Sequence, residues 1–309
     1  MAKVFIDGSA GTTGLQIHAR LMARSDIQLL TIDEDKRKDP AERQRLMNEA
    51  DVVFLCLPDA AAIEAAQLVT NPDTVVIDAS TAHRCNLDWT YGFAELGLRE
   101  KIAGAKRIAN PGCHATGFIS LVHPLVKSGL LPKDALLHCA SLTGYTGGGK
   151  KMIADYEAED RPVALASPAL YAVGQSHKHL PEMKLLCGLD TEPVFCPIVD
   201  DYAKGMATTL MLHKSQLKPG TTLEMVWQAL SDFYKGQKLV TVRAWDAPQG
   251  SIYANTRDGM DSLEIIVSGN DERMTITALF DNLGKGASGA AIQNMNIALG
   301  VDEATGLNV

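Results

Sequence analysis

The chain predicts an α/β protein: a Rossmann-like, doubly wound parallel sheet with a second α+β domain built on a mostly antiparallel sheet. Three observations carry this. A glycine-rich turn, "DGSAGTTG", joins the first apolar strand to the first helical stretch. Strands and helices then alternate through the first third of the chain. From about residue 135 strands dominate, around one long helix.

Taken in order, "KVFIDG" reads as a short buried strand, and "LQIHARLMARS" as a helix with Leu15, Ala19 and Met22 at helical spacing. "IQLLTID" and "ADVVFLCLP" are the next strands, "DAAAIEAAQLV" a helix and "DTVVIDAS" a strand. Strands separated by helices at this pace form βαβ units and pair in parallel. In the second half "ALLHCASLTGY", "EPVFCPIVDDY", "MATTLMLHK", "KLVTVRAW", "DSLEIIVSG" and "MTITALF" read as strands. The helix among them is "TTLEMVWQALSDFY", with Thr221 and Glu224 as a capping box and Leu223, Val226, Trp227, Leu230 and Tyr234 on one face. The Ala- and Gly-rich tail "GASGAAIQNMNIALG" is helical and is expected to return to the first domain. The predicted division is a dinucleotide-binding domain, 1–112 plus 286–309, and a catalytic and oligomerisation domain, 113–285.

At 309 residues the chain has room for two domains and a sizeable core. With 46% hydrophobic and 21% charged residues it is an ordinary globular composition. The formal charge of −8 argues against nucleic-acid or membrane-surface partners, but leaves room for a small anion held by a local cluster. The N-terminus lacks the pattern of a signal peptide, and no apolar run approaches the roughly 20 residues of a membrane span. The six cysteines, at 56, 85, 113, 139, 187 and 196, form no C-x-x-C pair, which argues against a disulfide framework or a cysteine-rich zinc site. These features predict a cytoplasmic protein without a metal. Apolar strands in the second domain suit a homo-oligomer.

In "IDGSAGTTG", Gly8, Gly11 and Gly14 stand at the mouth of the first helix, with Ser9, Thr12 and Thr13 between them. Such a turn lets a pyrophosphate approach the backbone and the unpaired N–H groups of the helix. The spacing is G-x-x-G-x-x-G rather than the usual G-x-G-x-x-G. Asp33 stands where an acid would bind a ribose 2′-OH, while Lys36, Arg37 and Lys38 could hold a 2′-phosphate. The residues leave NAD and NADP both open.

"NPGCHATG" sets Cys113 ahead of a helix in which Phe118, Leu121, Val122 and Leu125 fall at i, i+3, i+4 and i+7, with Gly129 as a stop and Pro124 as an expected kink. At a helix mouth the dipole and free N–H groups favour thiolate and could stabilise an oxyanion. The other cysteines lie in or beside apolar runs and read as structural. A proton carrier is available in "SHKHLPE": with Pro181 as the first helical residue, Ser176 to Leu180 should be extended, His177 and His179 on one side, and Glu182 placed to orient one ring. Two histidines could also bind zinc, but no third and fourth ligand accompany them. His114, His123 and His138 read as helix or strand residues with local partners. "GYTGGGKK" fits G-x-x-x-x-G-K at Gly144 to Lys150, yet Lys151 stands where a magnesium-binding Ser or Thr belongs, so a flexible glycine loop beside an active site fits better. In "FDNLGKGASG" glycines flank Lys285, either as an anion or cofactor contact or as a turn.

With these pieces in place the chain resembles the short form of the N-acetyl-gamma-glutamyl-phosphate reductase family. The resemblance rests on "GSAGTTG", "DASTAHR", "YGFAEL", "NPGCHATG", "GYTGGGK", "SHKHLPE" and "DNLGKGASGAAIQNMN", which span essentially the whole chain. It implies an NADP-dependent enzyme of arginine biosynthesis that reduces N-acetyl-glutamyl 5-phosphate to N-acetyl-glutamate 5-semialdehyde and releases phosphate. It places the nucleophile on Cys113 and the histidine pair on His177 and His179. His179 is then the acid/base group and His177 a substrate contact, or the reverse. The resemblance further implies Arg84, Glu95, Ser141 and Gly144 on the substrate side, and Pro58, Ser80 and Asn282 near the dinucleotide. The longer members often carry a tyrosine where this chain has His114 and an arginine where it has Lys178. Two rivals stand beside this reading. One is an aspartate-semialdehyde dehydrogenase-like reductase of another acyl phosphate, against which the histidine pair argues. The other is a non-catalytic dinucleotide-binding regulator, which would tolerate Cys113→Ala.

Overall fold

A computed structural model of the protein describes residues 1–248 and 250–309. Along the chain run β1 (Ala2–Asp7), α1 (Thr12–Met22), β2 (Ile27–Leu30), α2 (Pro40–Glu49), β3 (Val52–Leu55), α3 (Asp59–Leu68), β4 (Val75–Asp78), β5 (Thr90–Tyr91), α4 (Arg99–Gly104) and β6 (Arg107–Ala109). There follow α5 (Cys113–Lys127), β7 (His138–Gly144), α6 (Gly149–Glu157), β8 (Ala169–Leu170), α7 (Leu180–Cys187), β9 (Val194–Asp200), β10 (Met206–His213), α8 (Leu223–Phe233), β11 (Val240–Val242), β12 (Leu263–Gly269), β13 (Arg273–Phe280) and α9 (Gly289–Ala298). Two units result: Met1–Pro111 with Ala287–Leu307, and Gly112–Gly286 with Asn308–Val309.

The first unit is a six-stranded parallel sheet in the order β2-β1-β3-β4-β6-β5. Its strands are apolar on both faces, as a sheet covered on both sides requires. Val4, Ile6, Val52, Phe54, Val75 and Ile77 pack with Ile17 and Leu21 of α1, Ile102 of α4, and Ala291, Ile292 and Met295 of α9. The alternate residues Phe5, Val53, Leu55 and Val76 pack with Leu46 and Met47 of α2 and Ala65 of α3. The expected apolar face of α1 is corrected here: Leu15 and Met22 are 51% and 66% exposed, and Gly14, Ile17 and Leu21 are buried instead. Both sets have helical spacing. The glycine decides between them, because a Cβ on Gly14 would lie 2.5 Å from the Gly8 carbonyl oxygen, so only that stripe can close on the turn.

The second unit is a seven-stranded mixed sheet in the order β11-β12-β13-β10-β7-β9-β8. The pairs β7–β9 and β11–β12 are parallel and the other four antiparallel. Helix α5 packs on β10 and β13 and against α7 and α8. Gly117 permits this approach, since a Cβ there would lie 2.3 Å from Thr208 Oγ1. Strand alternation sends Leu142 and Ala207 to the other face, where Ala207, Ile266 and Leu279 cluster with Leu142, Ile252 and Ala254.

Helix α5 runs through Pro124 to Lys127. Proline has no N–H for the Ser120 carbonyl one turn earlier, and the Tyr234 hydroxyl donates to that oxygen at 2.8 Å. The cap of α8 is Thr222, whose hydroxyl accepts from the Met225 N–H, one residue beyond the Thr221 of the expected capping box. Thr221 instead donates to the Lys218 carbonyl in the preceding turn. "GYTGGGKK" is not a loop throughout: Tyr145–Gly148 form a tight helical turn that leads straight into α6. Among the described residues no helix is long and apolar enough to cross a membrane.

Candidate active site

The first unit places its glycine turn at a topological switch point. Strand β1 lies between β2 and β3, so the chain departs to opposite sides and leaves a crevice at the carboxyl ends of β1 and β3. Gly8 has φ +87°, and a Cβ there would meet the Cys56 carbonyl oxygen at 2.3 Å. Only glycine fits. Arg43, which the sequence reading did not single out, reaches the Asp7 carboxylate at 2.6 Å just before this turn. Helix α1 then opens on Gly11 with no side-chain cap and no acidic residue in its first turn. Its first-turn N–H groups have no partner within the helix. Among the described residues the Thr12 hydroxyl is buried without a hydrogen-bond partner. A cradle of glycines, an open helix N-terminus and an unpaired buried hydroxyl fit the phosphates of a dinucleotide.

The remaining predicted residues of this unit fall in three places. Pro58 is the exposed residue that opens α3. Arg37 and Lys36 pair loosely with Glu34 and Asp33 in an exposed turn after β2. In "DASTAHR" the buried Asp78 carboxylate takes the Ser80 hydroxyl at 2.7 Å and His83 Nδ1 at 2.6 Å, so Ser80 builds the turn that follows β4. Arg84 donates to the carbonyls of Asn110 (2.9 Å) and Ala79 (3.0 Å), which holds the "NP" ahead of the cysteine. Glu95 is buried and accepts from Gln293 of α9 at 2.9 Å.

In the second unit Cys113 is the first residue of α5. The N-cap is Gly112, without a side-chain cap and without an acid in the first turn. Glu182, buried on α7, accepts from the Gly112 N–H at 2.9 Å. It thus fixes the helix mouth. Gly286 leaves room beside the thiol, as a Cβ there would lie 3.1 Å from Cys113 Cβ. Burial pushes the thiol of Cys56 up to about 12, and raises those of Cys139 and Cys187 as well. Cys113 is only partly buried. A half-accessible sulfur at an uncapped helix N-terminus is where thiolate is favoured.

His177 and His179 have ring centroids 4.7 Å apart. They do not sit on an extended segment, however. Leu180 N–H donates to the His177 carbonyl, His179 is helical and opens α7, and Pro181 is the second helical residue. A turn brings the rings together because the His179 N–H also donates to His177 Nδ1 at 3.2 Å. Burial, and then Lys178, lower the His177 pKa, so the ring is neutral at pH 7.

His114 is part of the same cluster, at 5.6 Å from the His177 ring and 5.8 Å from the His179 ring. Its partners are distant in sequence, contrary to the expectation of local ones. Nδ1 bonds Ser141 Oγ at 2.7 Å and Nε2 bonds Tyr171 Oη at 2.6 Å. Burial, and then His177, push its pKa down to about 3. Ser141 is fully buried and also bonds Thr208 Oγ1. Phe195 stands edge-on to both His114 and His177. Gly144 ends β7 against residues 202–203, where a Cβ would meet the Ala203 oxygen at 2.5 Å. Asn282 is buried, accepts from Gly205 N–H and donates to Thr146. Tyr171, Thr208 and Phe195 went unremarked in the sequence because each reaches the cluster through strand pairing, which leaves no local signature. Among the described residues no group of three or more His, Cys, Asp or Glu side chains is placed to hold a metal ion.

A thiol at a helix mouth, in one unit with a cluster of imidazole rings, suits attack on an activated acyl group followed by proton transfer to the product oxygen. The comparisons agree. Residues 9–105 match the family model "Semialdehyde dehydrogenase, NAD binding domain", and residues 113–282 match "Semialdehyde dehydrogenase, dimerisation domain". The chain is 45% identical over 305 residues to the N-acetyl-gamma-glutamyl-phosphate reductase of Rhizobium etli (strain CIAT 652), covering 96% of this chain and 98% of the relative. It is 43% identical over 311 residues to N-acetyl-gamma-glutamyl-phosphate reductase 2 of Pseudomonas putida, covering 98% of each. Among solved structures, aspartate semialdehyde dehydrogenase from Francisella tularensis superposes with a TM-score of 0.70 at 14% identity, over 96% of this chain and 99% of that one. Aspartate semialdehyde dehydrogenase II from Vibrio cholerae gives 0.69 at 14%, over 97% and 98%. That likeness speaks to the fold alone. The fold, the two matched models and the near full-length identity together place the chain in the semialdehyde dehydrogenase family, among the N-acetyl-gamma-glutamyl-phosphate reductases.

Proposed function

We propose that the protein reduces N-acetyl-L-glutamyl 5-phosphate to N-acetyl-L-glutamate 5-semialdehyde with release of phosphate, through a thioester on Cys113. The observation that supports this most is the occurrence, in one unit, of a helix mouth bearing Cys113 and the adjacent His177 and His179 rings. Cys113 Sγ attacks the acyl carbon, the C–O bond to phosphate breaks, and inorganic phosphate leaves. The first-turn N–H groups of α5 stabilise the oxyanion formed on the way. A reduced nicotinamide dinucleotide, held at the glycine turn, would supply the hydride that reduces this thioester. His179 gives a proton to the acyl oxygen as the hydride arrives and takes it back as the carbonyl re-forms and the Cys113 thiolate departs, with His177 holding the substrate. Gly8, Ser9, Gly11, Thr12, Thr13 and Gly14 hold the pyrophosphate. Arg37, with Lys36 beside it, faces a 2′-phosphate and makes NADP the preferred dinucleotide.

Arg84, Glu95, Ser141 and Gly144 belong to the substrate side of this reading, with Ser141 and Gly144 acting through His114 and the residue 202–203 turn. Pro58, Ser80 and Asn282 shape turns toward the dinucleotide rather than bonding it directly. A cytoplasmic homo-oligomer completes the proposal, in keeping with the match of residues 113–282 to a dimerisation domain. The test is phosphate-dependent reduction of NADP⁺ by N-acetyl-glutamate 5-semialdehyde, with NAD⁺ and aspartate semialdehyde run in parallel. Turnover with NADP⁺ and the acetylated aldehyde supports the reading. Faster turnover with aspartate semialdehyde transfers the protein to the other substrate class.

A further inference from the structure

Thr208, Ser141, His114 and Tyr171 form an unbroken row of hydrogen bonds, with Thr208 Oγ1 to Ser141 Oγ at 2.7 Å, Ser141 Oγ to His114 Nδ1 at 2.7 Å, and His114 Nε2 to Tyr171 Oη at 2.6 Å. Each of the four groups carries one donatable proton when the imidazole is neutral. There are three links, so one proton is left over. A neutral ring cannot accept at both nitrogens and keep its own proton, which leaves Thr208, Ser141 or Tyr171 as the holder of the spare.

Thr208 and Ser141 have no exposed surface, and among the described residues their hydroxyls bond only within this row. A spare proton on either would be a buried donor without an acceptor. On Tyr171, which is only half-buried at the other end, it is not confined to the buried interior of the row. We propose that the row runs from Thr208 through Ser141 and His114 to Tyr171, and that it turns the Tyr171 phenolic proton toward the Cys113 reaction centre as a donor to the substrate's acyl oxygen. Tyr171 is then a catalytic residue, and Thr208, Ser141 and His114 are positioning residues. The assignment rests on Cys113 being the nucleophile.

Three further observations agree. The Tyr171 ring lies 6.0 Å from that of His177. Burial, and then the Cys113 charge, push the phenol up, so it keeps its proton at neutral pH. The segment after Tyr171 also holds two non-glycine residues in the left-handed region, Ala172 (φ 50°) and Gln175 (φ 53°). Gln175 fastens this segment by donating to the Phe195 carbonyl at 2.8 Å and accepting from its N–H at 2.9 Å. Backbone held against its preference suits a segment that must aim a side chain.

The test begins with the intact protein labelled with ¹⁵N-histidine. The proposed direction puts the His114 proton on Nε2 and leaves Nδ1 bare; an Nδ1–H tautomer overturns it. Kinetics follow. Tyr171→Phe should lower kcat by about 10²–10³-fold, the loss expected of one oxyanion donor, with a far smaller change in KM. Thr208→Val leaves the Ser141 proton no acceptor except His114 Nδ1, so the Nε2–H tautomer should hold while kcat falls by a small part of that loss, and Thr208→Ser should restore kcat. Wild-type kcat in Tyr171→Phe, or an Nδ1–H tautomer in Thr208→Val, defeats the proposal. Full activity in Cys113→Ser would instead defeat the underlying reading, whereas an inactive Cys113→Ser beside a fully active Tyr171→Phe defeats the row alone.

Discussion

Helices α1 and α5 begin alike. Each opens on a glycine, Gly11 or Gly112, with no side-chain cap and no acid in the first turn, so each presents the positive end of a dipole and first-turn N–H groups that the helix itself does not pair. They differ in what stands on the first turn and how it is held. In α1 it is Thr12 and Thr13, behind a partly exposed turn that only glycines can make. In α5 it is Cys113, on a helix with eleven buried residues whose first N–H is fixed by the Glu182 carboxylate. Under the proposed function one device serves two ends: α1 offers its field to an anion that comes and goes, and α5 offers it to a sulfur that stays.

The comparison breaks most sharply under substitutions that should affect one mouth and spare the other. Cys113→Ser should lower turnover by about 10³-fold or more while leaving dinucleotide binding, followed by fluorescence titration, unchanged. His179→Asn should cost about 10²-fold in kcat, and more than His177→Asn if His179 moves the proton. A steady-state assay of both variants orders the pair. Gly8→Ala should show the opposite signature. Its left-handed conformation alone costs about 1–2 kcal/mol, and the clash with the Cys56 oxygen adds to this, so dinucleotide Kd should rise at least about tenfold. Cys113 should still react with iodoacetamide at the wild-type rate.

Much of this was legible from composition and spacing. The βαβ rhythm, the glycine turn, Cys113 at a helix start and the His177–His179 pair all rest on residues near one another in sequence. What failed was what depends on distant partners. Leu15, Ala19 and Met22 had the right spacing but the wrong face, because Gly14 had to meet Gly8. Thr222 displaced Thr221 as the cap of α8, a one-residue difference that two adjacent threonines conceal. His114 looked local, yet its ring joins β7 to the segment after β8, and only sheet pairing places Ser141, Thr208 and Tyr171 around it. Helix α2, "PAERQRLMNE", escaped notice because it buries only Leu46 and Met47 and shows little periodicity.

A subtler effect sharpens the account of α5. The folded His114 has a pKa of about 3, below the 6.5 of a free imidazole. Between those values the unfolded chain binds a proton that the folded chain does not, so stability rises with pH and falls on acidification through that window. One residue sets a slope of at most about 1.4 kcal/mol per pH unit. Urea titrations between pH 4 and pH 6 should show a flatter dependence in His114→Gln. The smallest effect belongs to the far end of the helix. Tyr234→Phe removes the donor to the Ser120 carbonyl and should cost about 1 kcal/mol of stability by denaturant titration, without changing turnover.

The central claim is that Cys113 carries the acyl group. Mixing the protein with N-acetyl-glutamate 5-semialdehyde and NADP⁺, with phosphate withheld, tests it most directly. The account predicts a burst of one reduced nicotinamide per reactive thiol and, by peptide mass spectrometry, an acyl group on Cys113 that added phosphate removes. A burst with no modified cysteine, or an acyl group on another residue, would contradict it.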